Sequence, residues 1–314
     1  IESADAMVII GSNPRMESPV LNARIRKRWL TGELKVYLIG QEHDLTYDYT
    51  HIGSSPKNIN LKNLELGNSK NIIWLLGDDV FLRDDGMVIL SKVIECAEKT
   101  NSLRSDWNGL AILHKHASRV AGLDLGFLPQ DEKYNSQNMA KSKEIELLFL
   151  LDADEVDAEN KYKIYIGSHG DKGASNADIV LPGACYTEKN GLFMNTEGRL
   201  QEINRAVFPP GDARDNWKII IELSKRLKKS LNYINLEDVR ADLRKEYPVF
   251  TKINQIEKDS FQDLDHLYDK KQKLSSDTFS NTVSDYYLTN SIARSSKVMA
   301  ECSIQKNSIE IKNG

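Results

Sequence analysis

The sequence predicts a doubly wound α/β fold with mostly parallel sheets and flanking helices. Two observations predict it: short apolar runs that stop at a glycine or a polar turn, and amphipathic helical stripes between those runs. The runs do not alternate with polar residues, which is the pattern of strands buried on both faces, as in a parallel sheet. Strand then helix, repeated, defines the class.

The elements follow in order. Met7–Ile10 runs into Gly11, Val36–Ile39 into Gly40 and Ile72–Leu76 into Gly77. Leu147–Leu151 runs into Asp152, Tyr162–Ile166 into Gly167 and Ile179–Leu181 into Pro182. Between them, Leu21, Ile25 and Trp29 recur every four residues after Pro19, a good first-turn residue. Met87, Leu90, Val93, Ile94 and Ala97 make a second stripe. Leu110, Leu113, Ala117, Val120 and Ala121 make a third, which Asp106 would cap and Gly122 would close. Trp217, Ile220, Ile221 and Leu227 make a fourth, after Asp212 and Asp215. Beyond Lys228 the chain turns polar. The expected division is an α/β domain over 1–228 and a polar, mainly helical or irregular C-terminal extension over 229–314. Within the extension, Lys258–Asn281 reads as a solvated helix or a loose linker.

Composition narrows the function. The balance of 40% hydrophobic and 28% charged residues is that of a globular protein. A net charge of −4 gives no basic field for nucleic acid or an anionic membrane. No run of about 18 apolar residues offers a membrane span, so no direct insertion is expected. The chain begins at Ile1, almost directly on a strand and without a basic leader, and so reads as a portion of a longer polypeptide. Cys96, Cys185 and Cys302 are widely spaced and form no Cys-x-x-Cys pair, which argues for a reducing compartment and against a zinc or iron–sulfur site here.

Several groups invite a chemical reading. Gly11-Ser-Asn-Pro14 stands at a strand–helix junction, where backbone N–H groups commonly face phosphate. Neither the dinucleotide Gly-x-Gly-x-x-Gly nor the P-loop is present, and on its own the loop reads better as a plain turn than as a ligand site. Asp152, Asp154, Glu155 and Asp157 lack the EF-hand glycine and terminal glutamate, and read as a solvated loop. His114 and His116 would point to different faces of a helix and could not share one ion. His169 follows a strand, but no cysteine or serine nucleophile is positioned for it by sequence. No metal site is therefore expected.

The richest stretch runs from Gly173 to Gly211. It contains a short buried strand ending in Leu-Pro-Gly183, then Glu188 and Gly191, the tight turn Asn195-Thr-Glu-Gly-Arg199, and a Pro-Pro-Gly211 stop before a helix. Gly198 permits a positive φ, and Asn195, Glu197 and Arg199 can lock the turn by side-chain hydrogen bonds. Such a loop could hold a polar heterocyclic cofactor or simply join two subdomains; spacing alone does not choose.

These segments together resemble the molybdopterin oxidoreductases and, within them, the C-terminal part of the large iron–sulfur subunit of respiratory complex I. The resemblance is carried by Ile9–Arg15, Leu21–Lys27, Asp44-Leu-Thr-Tyr47, Ala121–Gly126, His169-Gly-Asp171, Ala177–Ala184, Tyr186–Lys189, Asn195–Arg199, Asp215–Ile220 and Thr289–Ala300. It implies a molybdopterin-oxidoreductase-like fold within an NADH-quinone oxidoreductase (NADH dehydrogenase). The iron–sulfur clusters of such a protein would lie in an N-terminal part absent from this sequence, leaving no cofactor in this one. The implied partners are that iron–sulfur domain and other peripheral-arm subunits. The implied location is peripheral, on the cytoplasmic side of the bacterial inner membrane or the matrix side of the mitochondrial one.

Departures from the active relatives matter as much. The pterin loop commonly reads Gly-Thr-Phe-Thr-Asn in those relatives; here Gly191-Leu-Phe-Met-Asn195 replaces two hydroxyls with Leu192 and Met194. A second Gly-x-Asn-Pro loop is replaced by Asp152-Ala-Asp-Glu155, whose carboxylates would repel pterin phosphates. The closing β-rich cofactor domain has no counterpart over 229–314. The expectation is a non-catalytic scaffold domain with no catalytic residue. Gly11, Asn13, Asn195, Glu197 and Arg199 would be a vestigial pterin pocket. The alternatives are a domain that still binds molybdenum or tungsten through those five residues, and a free-standing nucleotide-binding protein, which the missing glycines disfavour.

Overall fold

All five residues of strand β1 (Ala6–Ile10) are buried in the computed structural model, which describes residues 1–158, 160–256, 264, 267 and 273–313. The chain forms two compact units: Ile1–Ala117 with Glu257–Ser284, and Ser118–Ile256 with Asp285–Gly314.

Unit 1 is built on a five-stranded sheet of β1, β2 (Lys35–Ile39), β3 (Thr50–Gly53), β4 (Ile72–Leu76) and β7 (Leu110–Ile112), in the order β3-β2-β1-β4-β7. Every pairing in this sheet is parallel. A two-residue antiparallel ladder, β5 (Leu103–Arg104) with β6 (Trp107–Asn108), precedes β7. Alternate residues of β1 serve two cores. Ala6, Val8 and Ile10 meet Val93 and Ile94 of α4 (Gly86–Lys99). Met7 and Ile9 meet Ile25 of α2 (Pro19–Trp29). Helices on both faces explain why the strands carry apolar side chains without alternation. Two single-turn helices, α1 (Pro14–Glu17) and α3 (Asp79–Leu82), follow β1 and β4. β1 is flanked by β2 and β4, so the strand order reverses there. In open α/β sheets, ligands bind outside the carboxyl ends of the strands at such a switch point.

Unit 2 contains α5 (Arg119–Asp124), α6 (Ser136–Lys141) and a three-stranded parallel sheet, order β10-β9-β8, of β8 (Leu147–Leu151), β9 (Tyr162–Gly167) and β10 (Ile179–Pro182). A single turn, α7 (Lys172–Ser175), precedes β10. The antiparallel hairpin of β11 (Gly191–Met194) and β12 (Leu200–Ile203) follows. Then come α8 (Asn216–Arg226), α9 (Leu236–Glu246), α10 (Ser291–Arg294) and α11 (Lys297–Asn313).

The doubly wound prediction holds and all six apolar runs are strands, but the expected burial on both faces fails in the second sheet: β8 alternates between exposed and buried residues, and Ile179 and Val180 of β10 are exposed. The third helical stripe does not hold. Residues 103–112 fold as β5, β6 and β7, and only Arg119–Asp124 is helical. Leu110–Ile112 pairs in parallel with Trp74–Leu76 of β4, and that pairing outweighs a coincidental four-residue spacing. Asp106 lies between β5 and β6 and caps no helix. His114 and His116 lie on a loop, so an argument from helix faces does not apply to them. In the second stripe Met87 is 48% exposed, whereas Val88 and Ile89 are buried. The sequence reading also missed β3, β11 and β12. Of Lys258–Asn281, residues 258–263, 265–266 and 268–272 lie outside the described residues. The part that is described is no loose linker, because Leu264, Leu267, Leu274 and Phe279 all join the core of unit 1.

Candidate functional site

The switch point of unit 1 is framed by glycines. Gly11, at φ +55°, ends β1, and Gly77 ends β4 so close by that a Cβ on Gly77 would overlap the Gly11 carbonyl. Only glycine permits this approach and this φ. The loop that follows is closed by its own carboxylate. Asn13 N donates to Glu17 Oε1 at 2.6 Å and Ser12 Oγ donates to Glu17 Oε2 at 3.1 Å. A side-chain anion thus occupies the position where a strand–helix junction would present N–H groups to a phosphate. Burial raises the Glu17 carboxyl above its ordinary value against these hydrogen bonds, and the charges of Asp78 and Asp79 add to the rise. Asn13 Oδ1 is buried and has no hydrogen-bond partner among the described residues.

The opposite side of this loop is filled by the segment 273–284. Phe279 is 1% exposed, and a Cβ on Gly11 would stand 2.7 Å from its Cδ1 and 3.2 Å from Val80 Cγ2. Arg83 lies over the Phe279 ring at 5.2 Å and donates to the Thr278 carbonyl at 3.1 Å. Phe279 N donates to the Ser54 carbonyl at 2.9 Å. Buried Asp79 accepts from Ser280 N at 2.9 Å and Ser280 Oγ at 2.5 Å. Asp85, paired with Arg83 at 2.8 Å, accepts from Ser275 N at 2.9 Å. The segment is therefore sewn down by hydrogen bonds on both sides of one buried ring.

Unit 2 has a comparable arrangement past β8 and β9. Asp154 is not a solvated loop residue, as the sequence suggested, but is 6% exposed. Its Oδ1 accepts from Asp171 N at 2.8 Å and Gly173 N at 3.0 Å, and its Oδ2 faces Arg294 at 3.3 Å. The same guanidinium reaches Glu155 at 3.2 Å and Asp171 at 2.5 Å. Hydrogen bonding from Arg294 holds the Asp171 carboxyl below the ordinary carboxylate range. Burial, and then the charges of Asp154, Asp152 and Asp171, push the nearby Tyr165 hydroxyl up to about 12; it donates to the His169 carbonyl. His169 Nδ1 stands 3.1 Å from Ser168 Oγ.

The Asn195–Arg199 turn joins β11 to β12. Gly198 has φ +77°, and Asn195 Oδ1 accepts from both Glu197 N and Arg199 N at 3.0 Å. Asn195 locks the turn, as its position predicted, but the Arg199 guanidinium donates instead to the Asn254 carbonyl at 2.8 Å. Leu192 and Met194, which stand where active relatives carry hydroxyls, pack with Ala121, Leu200 and Phe250. Gly11 and Asn13 thus stand together at the end of β1, whereas Asn195, Glu197 and Arg199 form the hairpin turn of the other unit. Sequence reasoning missed Glu17, Phe279 and Arg294. Glu17 follows Asn13 at a helical i+4 spacing, Phe279 is a lone aromatic in a polar stretch, and Arg294 lies inside the Thr289–Ala300 segment.

Among the described residues, no group of three or more His, Cys, Asp or Glu side chains is arranged to hold a metal, and no helix is long and apolar enough to cross a membrane. Cys96 and Cys185 are buried free thiols and Cys302 is half-buried.

Comparison with known proteins agrees with this architecture. Residues 1–226 match the family model for molybdopterin oxidoreductase, and residues 255–302 match that for the C-terminal region of the G subunit of NADH-ubiquinone oxidoreductase. The G subunit of NADH-quinone oxidoreductase from Rickettsia bellii is 40% identical over 312 residues, covering 96% of this chain and 44% of that protein. Its counterpart from Rickettsia conorii is 40% identical over 314 residues, covering 96% and 45%. The NADH-ubiquinone oxidoreductase 75 kDa subunit of Reclinomonas americana is 39% identical over 318 residues, also covering 96% and 45%. The chain therefore spans somewhat under half the length of these curated relatives. With its parallel sheets, its glycine-framed switch point and the family match over residues 1–226, the chain belongs to the molybdopterin oxidoreductase family, and within it is similar to the G subunits of NADH-quinone oxidoreductases.

Proposed function

We propose that this chain is a cofactor-free scaffold domain of the large iron–sulfur subunit of an NADH-quinone oxidoreductase. On this reading it supports electron transfer from NADH to quinone by packing beside the cluster-bearing part of that polypeptide and other peripheral-arm subunits, and performs no chemistry itself. The observation that carries it is the filling of the carboxyl-end positions by the chain's own side chains. Phe279 seats against Gly11, Glu17 takes the loop N–H, and Arg294 sits among Asp154, Glu155 and Asp171.

The residues present do not fit a pterin dinucleotide. Its phosphates are anionic, and the Gly11 loop meets them with the Glu17, Asp78 and Asp79 carboxylates. The orphan Asn13 Oδ1 is an acceptor, suited to a buried water or an amide rather than to phosphate. The two residues that replace hydroxyls, Leu192 and Met194, belong to an apolar cluster. A packing role also suits the open face of the second sheet. There Leu147, Phe149 and Leu151 are 43–46% exposed beside half-exposed Tyr162 of the paired strand. Parallel sheets are ordinarily covered on both faces. An assembly of the relatives' kind would hold such a domain peripherally, on the cytoplasmic or matrix side of the membrane.

The test is molybdenum, tungsten and pterin analysis of the full-length protein purified from its own cell. The expected result is none of the three, with iron at cluster stoichiometry. Molybdenum or tungsten with pterin near one per chain would overturn the reading.

A further inference from the structure

Unit 2 also carries a groove with two walls. One wall is α8. Lys228, in the left-handed region at φ +56°, closes that helix, with Lys229 N donating to the Ser224 carbonyl and Leu231 N to Ser224 Oγ. The other wall, residues 230–234, is anchored at its far end by the start of α9. Ile234 N and Asn235 N both donate to Asp238 Oδ2, and the Tyr233 hydroxyl donates to Asp242 at 3.0 Å. Between the walls lies an open volume of about 1040 Å³ whose apolar lining includes Leu181, Trp217, Leu231 and Ile234. Ile234 is 90% exposed, so nothing in the fold of the unit accounts for an isoleucine there.

The charged lining is as distinctive as the apolar one. Arg214, Lys218, Lys225 and Arg226 line the groove against a single carboxylate, Glu222, on a chain whose net charge is −4. Lys228 and Lys229 extend the positive end. Among the described residues, neither of these two nor Arg226 has an ion-pair partner, whereas Lys218 pairs with Asp215 and Lys225 with Glu222. A preformed apolar trough with cationic residues in its lining is the arrangement by which a groove accepts an amphipathic helix, with the charges setting register and partner choice.

We propose that this groove docks an acidic amphipathic helix from another polypeptide. Its aliphatic face would lie on Trp217, Leu231 and Ile234, and its Asp and Glu side chains would meet Arg226, Lys228 and Lys229. The proposal deepens the scaffold reading and rests on it for the existence of a partner. The two fail separately, since that reading falls on metal and pterin content and this one on peptide binding.

Two labelled synthetic helices of about 18 residues, long enough to hold helical structure, provide the test. They share one leucine face, and the other face is Glu in one helix and Lys in the other. Titrated by fluorescence anisotropy against the full-length protein, the Glu helix should bind at least about tenfold more tightly than the Lys helix. That preference should shrink as salt rises from about 50 to 500 mM. Arg226→Glu should reduce or invert it, and Ile234→Ser should weaken both helices; both sites are solvent-facing, and a circular dichroism melt checks folding. In the native assembly, carbodiimide cross-linking should join Lys228 or Lys229 to a carboxylate of another chain. Equal binding of both helices, no binding, or cross-links confined to the chain itself would overturn the proposal. So would a self-association that Ile234→Ser abolishes, because the occupant would then be a second copy.

Discussion

Replacing Phe279 with alanine tests whether the C-terminal segment is part of the first sheet's core. The ring is 1% exposed, belongs to the same core cluster as Val80, and lies so near Gly11 that a Cβ there would stand 2.7 Å from its Cδ1. Truncating a buried phenylalanine costs about 3–5 kcal/mol, and losing the cation–π contact with Arg83 adds about 0.5–1 kcal/mol. A loss of about 4 kcal/mol is comparable with the whole stability of many domains, and corresponds to roughly a thousandfold change in a local opening equilibrium. Hydrogen exchange of the peptide spanning 273–284 reads this directly, because Phe279 N–H is held by the Ser54 carbonyl and Ser280 N–H by Asp79. Their exchange should accelerate by about three decades in Phe279→Ala and by about one in Phe279→Leu, which keeps most of the apolar volume. Acceleration of less than about tenfold in the alanine variant would refute the claim that this ring seals the end of β1.

Further predictions rest on the same geometry. Arg294→Met leaves the buried Asp154 Oδ2 without its cation and should cost about 3 kcal/mol, read as a lower urea midpoint; an unchanged midpoint would mean that the acidic cluster tolerates its own charge. Because burial raises the Glu17 carboxyl, the folded state binds that proton more tightly than the unfolded state. Its contribution to stability is therefore present below the ordinary value of 4.5 and lost as pH rises through the raised one. Stability measured from pH 4 to 8 should accordingly favour Glu17→Gln over the unmodified chain increasingly as pH rises, and a flat difference would contradict this. Gly77→Ala puts a Cβ 2.0 Å from the Gly11 carbonyl oxygen and should cost about 3 kcal/mol or more, whereas Gly32→Ala, at φ +76° with open space around it, should cost about 1–2 kcal/mol in the same denaturation assay. Asn195→Ala removes the acceptor of two turn N–H groups and should cost about 1 kcal/mol with no change in metal or pterin content.

The central strands of the first sheet were legible because burial on both faces writes itself as an unbroken apolar run: Ala6–Ile10 and Ile72–Leu76 are buried at every residue, whereas the equally apolar Leu147–Leu151 is exposed at alternate positions. Short edge strands such as Thr50–Gly53, half-buried and held by one neighbour, carry no such mark. Leu110–Ile112 misled because three apolar residues fit either period, and only the pairing with Trp74–Leu76 decides between them. At the site, Gly11 and the Asn195 turn could be read locally, since a positive φ and a side-chain-locked turn depend on neighbours in sequence. Phe279 and Arg294 could not. Their roles come from contacts with Gly11 and Asp154, far away along the chain, and neither residue type signals its partner.

The segment that carries Phe279 also dictates when unit 1 can be finished. Asp79 is separated from Ser280 by 201 residues. At a synthesis rate of roughly 5–20 residues per second, a ribosome needs about 10–40 s to supply the second after the first. Until then the Gly11 loop and the buried Asp79 await their closing partners, and the nascent sheet has to persist, or be chaperoned, with an apolar edge uncovered. A premature stop between Asp79 and Phe279 would thus damage the sheet of unit 1 rather than merely shorten a tail.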